Sequence, residues 1–245
     1  MIGVSSLCLL DSPLEQVLEV FDSGAFSYVE IICEGNHTNL EALKSYDFAV
    51  SFHAPFSDLN IASLNKAILK ESLNQISDCI GKACEYDVEA VCVHPGHFSP
   101  LGMYFKEKAL ATQIKSLKLL AKKAEECSIL LGVENMPYFS ILCARTAEEV
   151  ERILSEVDSP YLGFTFDVGH ANITGNVEQF LSLKEYITTV HLHDNAGDQD
   201  THLALGEGTL PLDIIEKVAG KKLVIEVNTY QDALRSLEVL KTILP

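Results

Sequence analysis

LGFTFDVGH, residues 162–170, is a short apolar run that ends in a carboxylate, Asp167, with a histidine three positions on, His170. Five other runs end in the same manner. SFHAP (51–55) delivers His53, AVCVHPGH (90–97) His94, LLGVEN (130–135) Glu134, TTVHLHD (188–194) His191 and LVIEVN (223–228) Glu226. Successive terminal residues lie 24–41 positions apart. A strand that finishes in a metal-type residue, repeated at that interval, predicts a (β/α) barrel whose mouth is built from the C-terminal ends of several strands. A lone histidine is more often a surface or core imidazole than a ligand. Six such residues in register are not explained that way.

Working outward, apolar runs at 2–9, 28–33, 48–53, 90–94, 130–134, 162–167, 188–191 and 223–226 predict eight strands. Bounded by turn residues, such runs fit strands covered on both faces. Between them, helix-period segments fall at 14–21, 40–45, 64–86, 105–127, 147–157, 177–183, 212–218 and 233–244. Ser12-Pro13 and Thr146-Ala-Glu-Glu149 read as helix starts. Eight of each is the count that closes a barrel, and 245 residues suit one such barrel as a single domain over 1–245. The longest stretch without periodicity, 193–211, is rich in His193, Asp194, Asp198, Asp200, His202 and Glu207. A loop of that length in a compact domain is usually functional.

Composition narrows the function. The formal net charge of −17, with only 18 Lys and Arg dispersed along the chain, argues against a polyanion as partner. Seven scattered cysteines without CxxC spacing read as reduced, buried thiols. The N-terminus has no basic n-region and no run approaches the ~18 apolar residues of a membrane span, so a cytoplasmic protein without membrane contact is expected. His53, His94, His170, His191 and His202 stand beside the carboxylates Glu134, Asp167, Asp200 and Glu226, the nitrogen and oxygen donors that zinc and its relatives take. His97 and His193 lie near the mouth and are candidate substrate contacts, whereas His37 reads as an ordinary loop histidine.

HAPFSDLN (53–60), VHPG (93–96), VEN (133–135), FDVGHA (166–171), VHLHD (190–194) and DQDTHLALGEG (198–208) together resemble, in order, the xylose-isomerase-like TIM barrels. That group holds sugar isomerases and epimerases together with endonuclease IV. The resemblance to endonuclease IV implies His53, His94 and Glu134 on one metal, with Glu134 bridging to a second held by Asp167, His191 and Glu226. It gives His170, Asp200 and His202 to a third. The resemblance to the epimerases implies use of essentially the second site alone, with Glu134 and Glu226 as an acid–base pair. Zinc, one to three ions, is the implied cofactor, with manganese, cobalt or magnesium as alternatives. Two departures matter: Phe56 stands where endonuclease IV has a tyrosine, and His202 where the epimerases carry a substrate-binding arginine. The reading favoured is an isomerase or epimerase of a small sugar or sugar phosphate. The alternative is a trinuclear zinc phosphodiesterase acting on an abasic site or a small phosphoester, with duplex DNA the disfavoured substrate. A third reading, a barrel that has lost turnover, is weakened because no ligand position is empty.

Overall fold

The computed structural model describes residues 1–244. Eight strands, β1 (Ile2–Ser5), β2 (Tyr28–Ile32), β3 (Ala49–His53), β4 (Ala90–Val93), β5 (Leu130–Glu134), β6 (Leu162–Asp167), β7 (Ile187–Leu192) and β8 (Lys222–Ile225), close in chain order into one parallel barrel. The helices α1 (Leu14–Phe21), α2 (Lys66–Glu85), α3 (Pro100–Tyr104), α4 (Lys106–Cys127), α5 (Ala147–Val157), α6 (Val168–Thr174), α7 (Val177–Phe180), α8 (Asp213–Lys217) and α9 (Tyr230–Ile243) fall between and after the strands. No helix among the described residues is long and apolar enough to cross a membrane.

Strand side chains alternate between two faces, and the sequence uses this to separate two environments. Val91, Val93, Leu131, Val133, Phe164, Phe166, Val190, Leu192, Leu223 and Ile225 all join the main apolar core with buried helix residues such as Leu117, Val150 and Leu240. The other face carries the buried polar side chains Glu30, Ser51, His53, Glu134, Thr165, Asp167, Thr189 and His191. The register brings some of the strand ends level. Ile32 pairs with His53, Asp167 with His191, and Leu192 with Ile225, the residue before Glu226. Elsewhere the pairing is staggered by two residues, with His53 opposite Cys92, Glu134 opposite Thr165 and His191 opposite Val224, and the six side chains gather at the C-terminal end of the barrel.

Four local expectations are corrected. The segment 40–45 forms a 3-10 helix, Leu40–Ser45, with no side-chain cap at Asn39. The segment 177–183 divides between α7 and a 3-10 helix, Leu181–Tyr186. The first strand stops at Ser5, whose hydroxyl accepts from the Leu7 N–H and starts the 3-10 helix Ser6–Leu9. Ser12 does not cap α1. Its hydroxyl turns to Asp11, and Pro13 occupies the cap position. Thr146 does cap α5, accepting from the Glu149 N–H at 3.3 Å.

Candidate metal centre

Ten histidine and carboxylate side chains gather at the C-terminal mouth of the barrel and fall into three groups, with the buried Cys92 thiol beside Glu134 and His191. In the first, Glu134 Oε2 lies 3.1 Å from His94 Nε2 and 3.5 Å from His53 Nε2. In the second, His191 Nδ1 lies 3.1 Å from Glu134 Oε1, 3.1 Å from Glu226 Oε2 and 3.9 Å from Asp167 Oδ2. Glu134 thus turns one oxygen to each group, the geometry of a bridging carboxylate. In the third, Asp200 lies 3.1 Å from His170 Nε2 and 3.4 Å from His202 Nε2, with His193 joining them. All nine residues expected to be ligands lie in these groups. His193 is the tenth.

The imidazoles are held from behind. His53 Nδ1 lies 2.8 Å from the Ala54 carbonyl, His170 Nδ1 2.8 Å from the Asn135 carbonyl and His202 Nδ1 2.8 Å from the Glu226 carbonyl. With the proton donated there, each Nε2 keeps its lone pair for the mouth. An outer hydrogen bond that fixes tautomer and ring orientation is the normal support of a metal-binding histidine. His191 is reversed: Nδ1 faces the group, and Nε2 sits 2.9 Å from Glu30 Oε1, an ion-pair contact that does not meet hydrogen-bond geometry.

Local structure aims the rest. Asp167 caps α6, accepting from the His170 N–H at 2.7 Å. Asn135 locks β5 to β6, donating to the Asp167 carbonyl and accepting from the Asp167 N–H, each at 2.8 Å. The long loop after β7 is tied down by Asp194, whose carboxylate accepts backbone N–H bonds from Asn195, Gly206, Gly208 and Leu210 at 2.8–3.0 Å. That anchorage fixes Asp200 and His202. His202 itself adopts the left-handed region, φ 46°, a conformation in which histidine is over-represented among non-glycine residues.

Fit to a metal can be judged from the buried atoms. Asp167 Oδ2, His193 Nε2 and Asp200 Oδ1 are buried without any hydrogen-bond partner, and all three belong to these groups. Orphaned polar atoms of this kind call for an ion or water. The charges point the same way. Burial opposes the His191 cation, but Glu30 and Glu226 outweigh it and lift the imidazole well above its ordinary range. Against the same burial cost, Asp167 and Asp200 raise His170 to about 10, and Asp200 and Glu226 raise His202 to about 9. Burial would raise Glu226, yet His191 brings it down to about 2. The carboxylates demand positive charge here. Protons supply it in the metal-free chain, and divalent ions fit the same positions.

A cavity of about 140 Å³ opens over the groups, lined by His53, His94, His170, His202 and Glu226 and by the apolar Phe56 and Met136. The Phe56 ring stacks on His94 with centroids 4.7 Å apart and brings no hydroxyl to the site. His97 lines an adjoining cavity of about 220 Å³ that shares Phe56, His94 and Met136. Its backbone is held by Asn60 through two hydrogen bonds, and burial lowers its imidazole pKa. His193, expected to contact substrate, is 0 % exposed and lies inside the third group. Sequence reasoning missed Glu30. A single carboxylate inside the apolar run YVEII was the available signal, since an unpaired buried glutamate is rare.

The family described as xylose isomerase-like TIM barrel matches residues 27–243. An uncharacterized protein of Methanocaldococcus jannaschii is 37 % identical over 256 aligned residues, covering 98 % of this chain and 87 % of that protein. A crystal structure of a D-tagatose 3-epimerase-like protein is 36 % identical with a TM-score of 0.92, covering 99 % of this chain and 96 % of that one. A probable endonuclease 4 of Mycobacterium tuberculosis is more distant, 24 % identical over 197 residues, with 76 % of this chain and 75 % of that protein covered.

Proposed function

The chain belongs to the xylose isomerase-like TIM barrel family, and we propose that within it the protein is a metal-dependent isomerase or epimerase of a small sugar or sugar phosphate. The observation that carries this reading is the placement of Glu134 and Glu226. Each offers an oxygen 3.1 Å from the same atom, His191 Nδ1, at the foot of a small cavity. Two carboxylates facing one point can serve a ketose from both sides. One takes the proton from the carbon next to the carbonyl, and the other, protonated, returns a proton to that carbon or its neighbour. In the metal-free chain both rest as bases, so the carboxylate that returns the proton must first take one up from solvent. Burial opposes the ionised form, but His191 holds Glu226 down to about 2 and, with His53 and His94, holds Glu134 well below the usual carboxylate range.

Asp167, His191, Glu134 and Glu226 would hold a divalent ion, which when bound would polarise the substrate carbonyl and fix the adjacent hydroxyl. The chain's own part is orientation and exclusion. Phe56, Met136, Leu7 and Ile32 give the cavity an apolar wall against which a sugar ring face can lie. The fold relative that is a D-tagatose 3-epimerase-like protein supports the substrate class.

A second reading, a phosphodiesterase, is favoured by one specific observation: the donors for three ions are all assembled, and an endonuclease 4 lies among the relatives. Three divalent ions against four ligand carboxylates leave about two positive charges, a match for one phosphate. Phe56 and the net charge of −17 weigh against an extended duplex. The test is a panel of ketoses and ketose phosphates run beside an abasic-site duplex, with metal-replete protein. Ketose turnover that is lost in Glu226→Gln supports the isomerase. Saturable incision of the duplex with no sugar turnover overturns it.

A further inference from the structure

We infer that His193 is a fourth ligand of the third metal position, which makes that position a closed, structural site of three histidines and one aspartate rather than an open, substrate-binding one. The inference rests on the metal reading of the barrel mouth and sharpens it.

The donor atoms of His170, His193, Asp200 and His202 lie within 4.8 Å of one another. Asp200 is 3.1 Å from His170 Nε2, 3.4 Å from His202 Nε2 and 3.6 Å from His193 Nε2. Bonds of 2.0–2.1 Å in a tetrahedron separate neighbouring ligand atoms by about 3.3 Å. The Oδ1 spacings, 3.4 Å to His202 and 3.6 Å to His193, lie a little above that value, and His170 meets the other oxygen, Oδ2, at 3.1 Å. Four protein ligands in a tetrahedron are the mark of a structural zinc position, whereas catalytic positions keep one place open.

The other role available to His193 is to donate to Asp167 Oδ1, 3.1 Å away, and so steer a ligand of the second group. That contact, like the one between His191 and Glu30, does not meet hydrogen-bond geometry, and here a second carboxylate, Asp200, faces the same nitrogen. His193 Nε2 is fully buried and makes no hydrogen bond, to Asp167 or to anything else among the described residues. The other ring nitrogen, Nδ1, faces the carbonyl of the following residue, Asp194, at 3.4 Å. His53 is arranged alike, with Nδ1 against the carbonyl of Ala54 and Nε2 toward its group. Placed as His53 is, His193 turns Nε2 toward oxygens of both Asp167 and Asp200, at 3.1 and 3.6 Å. His193 Nε2, Asp200 Oδ1 and, on the same Asp167 carboxylate, Oδ2 are all orphaned, and an ion between the ring and the two carboxylates would answer them.

The surroundings hold the ring in this pose. His193 and His202 stack with centroids 4.0 Å apart and planes 18° apart, which brings both Nε2 atoms to the same Asp200 oxygen. Gly169 makes room on the other side, because a Cβ there would overlap the His193 ring. His193 is absent from the cavity lining while His170, Asp200 and His202 are part of it. It therefore closes the position from behind. An ion bound by all four would tie β7, its long loop and α6 together and leave proton transfer to the group around Glu226.

The test is metal content. Zinc-loaded wild type, His193→Ala, His202→Ala and the double variant are desalted and analysed for zinc, with circular dichroism to establish folding. The expected result is that each single variant retains one ion fewer than wild type and the double variant no fewer than the singles. Its affinity for that ion should fall by more than ~100-fold, beyond the loss caused by removing an outer partner. Unchanged zinc content in His193→Ala overturns the inference. So does a double variant that loses one ion more than either single, since His193 would then act on a different position. A wild type that holds no metal overturns the metal reading itself, while one that holds metal indifferent to His193 overturns the inference alone. Should the variants misfold, the zinc anomalous map of wild-type crystals decides. An ion about 2.0–2.1 Å from His193 Nε2 is expected, and a water or an empty gap there refutes the assignment.

Discussion

Replacing Glu30 by glutamine removes one buried negative charge and keeps the side chain's size. Glu30 is 0 % exposed, with Oε1 2.9 Å from His191 Nε2 and Oε2 accepting from the Ser51 hydroxyl at 2.9 Å. Its charge acts on His191 in two opposed ways. It makes the imidazole a stronger donor to an ion at Nδ1, and it stabilises the protonated imidazole that competes with that ion. Burial opposes the His191 cation, and the charge of Glu30 helps to overcome it together with Glu226 and Glu134. Removing a carboxylate behind a metal-bound histidine costs 10–100-fold in affinity, or about 1.4–2.7 kcal/mol. Near neutral pH, weaker proton competition offsets part of this in Glu30→Gln, so a loss of about tenfold is expected there. The offset shrinks as pH rises, so the loss should be larger at about pH 9 than near neutral pH. Zinc affinity by chelator competition at the two pH values measures this. Equal affinity of variant and wild type at both, or tighter binding by the variant, would refute the role given to Glu30.

Glu134→Gln should lose at least one ion and at least ~100-fold in kcat, because this residue faces two groups and also moves the proton; elemental analysis and steady-state kinetics check both. Asp194→Asn leaves one oxygen for four backbone N–H donors, which should cost about 3 kcal/mol. In a chain of this size that lowers Tm by roughly 6–12 °C by calorimetry. In metal-free protein His202 and His170 are raised to about 9 and about 10 from an unfolded value near 6.5. Their stabilisation is complete below the unfolded value and is lost as pH rises through the folded ones. Tm of the chelated protein should therefore fall between about pH 7 and pH 10 while that of the zinc-loaded protein stays level, and a chelated protein with flat or rising Tm would contradict the charge arrangement.

The barrel was legible because its strands finish in chemistry. An apolar run that stops at His53, Glu134 or Asp167 is informative in a way that a run stopping at glycine is not, and the structure ends β3, β5 and β6 on those residues. Helices of three or more turns with a polar face, such as α4 and α5, were equally readable. Short connections were not. Whether six residues at 40–45 form an α-helix or a 3-10 helix depends on packing and caps more than on period. The family resemblance grouped the nine ligand-type residues, but the sequence said nothing of depth. His97 and His193 look alike as mouth histidines in the sequence, yet one lines a cavity and the other is fully buried. Glu30 was hidden for a related reason. It lies mid-strand, and its partner His191 is 161 positions away, joined to it only when the barrel closes.

The most direct measurement of the central claim is the fate of solvent hydrogen during turnover of a ketose in deuterated water. A proton removed by one carboxylate and returned by another exchanges with solvent, so product formed by metal-loaded wild type should carry deuterium on the carbon that changed configuration or oxidation state. Glu226→Gln should form none of that product. Product free of deuterium would contradict proton transfer between Glu134 and Glu226, as would failure to turn over any sugar by a protein that incises an abasic duplex.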